Sequence, residues 1–395
     1  MKYYINEICS SGNIAVDDNL LVKDVPATAG SKMLESFIPL FSAEVVERLL
    51  KAGYSISGKT NVSEFGLGLV GETSYFADAE DKKLLGAAAE LVKNGKVKAA
   101  VNVDLNGAPR RAAALSGVDF LKPTYGTVSR YGVIACACSG EQVGVTAKDA
   151  EGVKEILTAI AGHDSKDGTS LPAEKYEYNL SEDVSSMKLC VITELYDKAS
   201  DEVKAKLDAY IAKLTAKGAK VEQVSLDAVF AAQTAWQILM SAETCNNLSR
   251  FDGVKYGYRT PEYKNIDELY VKSRTEAFSF LTKATIIYGS DALSKDKYNN
   301  CYDKSMRIRR VVLTKVKELL ASYDAIITPV CSKAEYEAYN TEDAFMKVFE
   351  ESLFTAVPSI TGLPAMVSGS VQLIADSFKE STLLSIAHTA EKEEA

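Results

Sequence analysis

Short apolar runs recur along the chain, each broken by glycine, proline or acidic residues, and many lead into stretches with apolar residues every three or four positions. Residues 13–19, NIAVDDN, predict a short buried strand that ends in carboxylates. Residues 33–52 place Val45, Leu49 and Leu50 on one side and predict a helix, followed by a strand at 54–59, YSISGK. The run 84–91, LLGAAAEL, favours plain helix by propensity. Residues 99–118, AAVNVDLNGAPRRAAALSGV, read as a buried strand, a tight turn and a helix whose first turn holds Pro109 and Arg110. An amphipathic helix and loop are expected over 145–168, a strand–helix–strand unit over 188–224, helix over 277–320 and a core strand at 323–330. This alternation of strand and helix predicts an α/β layer architecture, and no internal repeat or linker divides it.

Composition narrows the classes. With 395 residues, 47% hydrophobic and 25% charged, the chain can bury a large core, and one continuous domain over 1–395 is expected. A net charge of −9 argues against a broad nucleic-acid face, so no direct nucleic-acid contact is expected. No apolar run reaches the ~18 residues that span a bilayer, and the first residues lack a signal-peptide core, so no membrane partner is expected. Seven scattered cysteines and two histidines form neither a disulfide framework nor a zinc set, which implies free thiols in a reducing cytoplasm and no metal or cofactor.

The turn after residue 103 is the candidate site. Gly107 permits close backbone approach, and the loop Asp104, Leu105, Asn106, Gly107 could present amides to an oxyanion. Its last residue, Ala108, carries no nucleophile. Asp17, Asp18 and Asp104 could cluster into a general acid/base pair, or Asp104 could simply brace the loop while Asp17 stays solvated.

From 99 through FLKPTYGTVSRYGVIACACSGEQVG at 120–144, the chain resembles the amidase signature family, and within it the A subunits of tRNA-dependent amidotransferases. TNVSEFGLG at 60–68 is similar to the family's TNMDEFAMG, AGHDSKDGTS at 161–170 to AGHDPKDSTS, and SRFDGVKYGYR at 249–259 to the A subunits' SRFDGIRYGYR. The resemblance implies an amidase-signature fold, with a mixed, largely parallel central sheet covered by helices on both faces. It also implies that the family's N-terminal helical extension is absent and its C-terminal part shortened. The family uses a Ser–Ser–Lys triad, and all three roles are altered here. Where the family reads GSDTGGS with a terminal nucleophile, this chain has NVDLNGA and Ala108; the lysine of IAIKDN falls on Asp17; the bridging serine, 24 residues before the nucleophile, falls on Leu84. A carboxylate cannot supply the missing ammonium, and Lys23 would need another loop path to replace it. Asp104, Leu105, Asn106, Gly107 and Arg110 would then line a vestigial pocket, with Arg309 of KSMRIRR a possible ligand anchor. The resemblance implies a degenerate subunit without glutaminase activity, whose partners would be amidotransferase B- and C-like subunits. A pocket that holds an amide or amino acid without turnover, or rebuilt carboxylate chemistry, are the alternatives.

Overall fold

The computed structural model describes residues 3–77, 84–173, 175–181 and 183–392. Eleven described strands form one sheet: β1 (Tyr4–Glu7), β2 (Ile14–Asp17), β3 (Ile56–Thr60), β4 (Ala99–Asp104), β5 (Asp119–Lys122), β6 (Gln142–Ala147), β7 (Lys188–Ile192), β8 (Lys220–Val224), β9 (Ala325–Pro329), β10 (Ala365–Ser368) and β11 (Val371–Ile374). Their order is β1-β3-β2-β4-β6-β5-β10-β11-β9-β7-β8. The central strands are buried along their whole length, which is why they read as near-continuous apolar runs rather than alternating ones. Ala15, Ala100 and Phe120 face one helical layer, and Ile14, Val16, Val101 and Leu121 face the other.

The large mixed sheet between helices is the expected architecture, but its parallel share is smaller than expected. Among the described strands β3-β2-β4 and β9-β7-β8 pair in parallel, and the other six pairings are antiparallel. The β10–β11 hairpin contributes to this. It closes through Gly369 and Ser370, both at positive φ, and inserts two antiparallel strands between β5 and β9.

Two local expectations are corrected. The helix anticipated over 33–52 covers only Glu44–Lys51. Pro39 lacks an N–H and disfavours helical backbone at Ile38, and its carbonyl accepts the Asp24 N–H at 3.0 Å, so 35–43 stays irregular. The segment anticipated as helix from 145 begins as strand: β6 continues to Ala147, and the helix runs Ala150–Ile160 behind an Asp149 cap that accepts the Gly152 N–H.

Close packing sets the site. Helix Ala87–Lys93 crosses helix Ala108–Ser116 so tightly that a Cβ on Gly86 would lie 2.3 Å from the Ala112 Cβ. Lys82 and Lys83, next to the position expected for the bridging residue, lie outside the described residues. The stretch 249–259 folds over the SKML turn: the Tyr258 N–H donates to the Met33 carbonyl at 2.7 Å, and the Lys32 ammonium lies 4.3 Å from the Tyr258 ring centre. No helix among the described residues is long and apolar enough to cross a membrane.

Candidate functional site

The parallel strands β2, β3 and β4 end side by side, and their C-terminal residues deliver the polar groups, the usual place for a site in an α/β sheet. Asp17, Thr60 and Asn102 project to the same face. The Thr60 hydroxyl and the Asn102 Nδ2 each donate to Asp17 Oδ1 at 2.8 Å, and the Val103 N–H donates to Oδ2 at 3.0 Å. Thr146 on β6 extends the layer, its hydroxyl donating to Asn102 Oδ1 at 2.7 Å. Asp17 is therefore buried and bonded, which corrects the expectation of a solvated side chain. Burial raises its carboxyl to about 6 against the pull of the three donors.

Asp104 is held apart from it. Both of its oxygens accept from Arg110, Nε at 2.6 Å and Nη2 at 3.2 Å, and Oδ1 also accepts the Gly107 N–H at 2.9 Å. Burial alone would raise this carboxyl, but the Arg110 guanidinium beside it keeps it below the usual carboxylate range. Asp18 turns instead to Lys59 at 3.1 Å and to the Thr28 N–H at 2.8 Å. The three carboxylates thus have separate partners, and the Asp17–Asp104 acid/base pair is not formed. The Gly107 amide, considered above as an oxyanion donor, is spent on Asp104.

The turn is pinned from every side. The Asn106 carbonyl accepts from Arg111 Nη2 at 2.8 Å and the Thr355 hydroxyl at 3.1 Å, the Leu105 carbonyl accepts from Ser359 at 3.1 Å, and Asn106 Oδ1 accepts from the Trp236 indole at 2.9 Å. Gly107 sits at φ +87°, and a Cβ there would lie 2.5 Å from Thr355. Arg111 and Trp236 hold the turn in place, and the sequence reading misses both. Two arginines opening an otherwise alanine-rich helix are the available signal for the first, whereas only folding brings Trp236 to the loop.

Asp17 and Ala108 line one small cavity of 30 Å³ with Asn19, Asn61, Gly86 and Ala112. Its two hydroxyl side chains, Ser63 and Thr146, donate to Glu72 and Asn102. No lysine, histidine or cysteine is among its described lining residues. Leu84 lines a neighbouring cavity of 400 Å³ with Leu85, Phe278 and Tyr339, and the two cavities share Asn61 and Ala87. Lys23 is exposed. The buried Lys122 ammonium donates to the Leu363 carbonyl at 2.7 Å, and burial together with the Arg110 charge lowers it to about 7. Arg309 donates to the Ser139 carbonyl at 3.1 Å.

Three kinds of comparison agree with this architecture. The chain is 34% identical over 395 residues to the A subunit of glutamyl-tRNA(Gln) amidotransferase from Sulfurihydrogenibium sp. (strain YO3AOP1), covering 95% of this chain and 81% of that one. It is 36% identical over 400 residues to the protein of the same name from Latilactobacillus sakei subsp. sakei (strain 23K), covering 96% and 82%. The crystal structure of the A subunit of glutamyl-tRNA(Gln) amidotransferase from Thermotoga maritima superposes with a TM-score of 0.82 at 27% identity, covering 99% of this chain and 87% of that one. The Amidase family description matches residues 13–384, and the chain belongs to that family.

Proposed function

We propose that this chain is a catalytically degenerate counterpart of the amidotransferase A subunit, retained in the cytoplasm as a structural or regulatory partner of B- and C-like subunits. The wall around Ala108 carries the reading. Where acyl transfer needs a nucleophile, a proton bridge and a base within hydrogen-bond reach, the cavity offers a methyl group, two hydroxyls already donated and a buried carboxylate. Asp104, Leu105, Asn106, Gly107 and Arg110 then act as architecture, holding the turn through the Arg110 pair.

Glutaminase assay of the pure chain, alone and with B and C subunits, tests the loss of catalysis, and co-purification with those subunits tests the partnership. No turnover is expected, including from Ala108→Ser, because neither bridge nor base returns with that hydroxyl. Recovered turnover, or strictly monomeric behaviour beside every B and C subunit tried, overturns the corresponding half of the proposal. The 400 Å³ cavity beside Leu84 supports a second reading, an amide or amino acid held without turnover. A rise in Tm with glutamine or asparagine would mark it.

A further inference from the structure

The last helix, Glu380–Glu391, lies on the sheet face lined by Leu121 and Met366, packed against β10 and the helices Ala150–Ile160 and Asp201–Ala216. Its final side chain touches three other elements. The Glu391 carboxyl accepts the Ala150 N–H at 3.2 Å, lies 3.5 Å from the Ser368 hydroxyl, and is in hydrogen-bond contact with the Asp119 carboxyl on β5. Asp119 is 3% exposed, and alternation along β5 turns it to the face of Leu121. Its Oδ2 accepts from no N–H or O–H among the described residues. Two ionised carboxylates offer each other only acceptors, so the contact becomes attractive when one proton lies between them. The neighbouring groups do not replace that proton. Asp149, just before the helix Ala150–Ile160, adds a like charge, and β6 places Ala147 opposite Asp119. From the helix Asp201–Ala216 come the Tyr210 hydroxyl and Lys213, whose ammonium donates to the Ala390 carbonyl at 3.3 Å. On the last helix itself, His388 faces Glu151 at 3.9 Å. Burial, and after it the Glu391 carboxyl, push Asp119 well above the usual carboxylate range. Glu391 is exposed at the helix end, which gives the shared proton a route to solvent.

We propose that Asp119 and Glu391 form a proton-operated latch on the last helix, closed while they share one proton and opened when that proton leaves to solvent. Seated, Glu391 also covers the first N–H of the helix Ala150–Ile160, so opening frees the end of one helix and the start of another. Linkage fixes the sign. A carboxyl whose value is raised in the seated state favours seating in acid, and that preference is lost as pH climbs from about 4, where a free carboxyl ionises, to the raised value. Across that window the open fraction grows by up to about tenfold per pH unit. The latch is independent of the partnership proposed above, because it involves neither the cavity around Ala108 nor another subunit.

Hydrogen exchange of the full chain, read by mass spectrometry at about pH 5 and about pH 8 and corrected for the intrinsic rate, tests the latch. Peptides from the end of the last helix and from the start of the helix Ala150–Ile160 are expected to exchange at least about tenfold faster at the higher pH, while the helix Ala108–Ser116 keeps its protection. In Asp119→Asn a carboxamide N–H takes the place of the shared proton, and in Glu391→Gln the donor comes from the other side, so both variants should hold the slow rate at both pH values. Glu391→Ala leaves nothing to bond and should exchange fast at both. The His388–Glu151 pair gains attraction in acid with the same sign, but Asp119→Asn and Glu391→Gln leave it intact. A pH response that survives in those two variants would therefore overturn the proposal. Equal exchange at the two pH values in the unaltered chain, or a rise shared by the helix Ala108–Ser116, would do the same.

Discussion

Replacing Arg110 by Met isolates the contact that holds the loop. The guanidinium is fully buried and makes five hydrogen bonds, two to Asp104 and one each to the Thr355 carbonyl, Gln372 Oε1 and Ser359. Methionine fills much of the same volume but leaves Asp104 buried with the Gly107 N–H as its remaining hydrogen-bond donor. Removing one partner of a buried pair costs about 3–5 kcal/mol. Lys122, relieved of the Arg110 charge that helps lower it, supplies part of the missing cation, which places the expected loss at the low end, about 3 kcal/mol. Urea unfolding followed by the fluorescence of Trp236, the only tryptophan, reports directly on this loop through its bond to Asn106.

The pH dependence adds a second, sign-specific check. In the unaltered chain Asp104 is held below its ordinary value, so its contribution is present above about pH 4 and fades as pH falls through the folded value. Without Arg110, burial dominates and raises the carboxyl, so the variant is penalised increasingly as pH rises above about 4. The deficit should therefore widen between acid and neutral pH, and Asp104→Asn combined with Arg110→Met should recover part of it. A loss below about 1 kcal/mol, or a double variant no more stable than the single one, refutes this account of the loop.

Other consequences follow from the same geometry. Lys122 is lowered to about 7, so below that pH the folded state holds a costly buried ammonium that the unfolded chain holds freely. Relative to Lys122→Met, stability should rise by up to about 4 kcal/mol as pH goes from about 7 to 10, and a flat difference would show that the amine reaches water. Gly107→Ala forces a positive φ on alanine and a 2.5 Å approach to Thr355, so it should destabilise by at least about 2 kcal/mol in urea titrations. Glycine and alanine of equal stability there would mean a different backbone. Trp236→Phe removes the indole donor to Asn106 inside a buried cluster and should cost about 1–3 kcal/mol without changing the far-ultraviolet circular dichroism. A lost helical signal would show that the residue holds more than the loop.

Much of the framework was legible in the residues alone. Apolar runs marked β2, β4, β7 and β9 because strands buried on both faces need no alternation, and Gly107 with Pro109 marked the turn and helix start because those conformations favour those residues. Motif resemblance assigns the family's three catalytic roles to Asp17, Leu84 and Ala108. What it left open was which groups meet. Whether Asp17 is solvated or buried, and whether it pairs with Asp104, depends on strand register and on Arg110 reaching Asp104, Thr355, Ser359 and Gln372 across as many as 262 positions. The same holds for the Trp236–Asn106 bond, made between residues 130 positions apart, and for the unpartnered oxygens of Asn19 and Asn61. Local chain stiffness and hydrophobic period act over a few residues and are written in order along the sequence. Hydrogen-bond satisfaction in the core is settled only when distant segments close on one another, and the chemistry of this cavity is of that second kind.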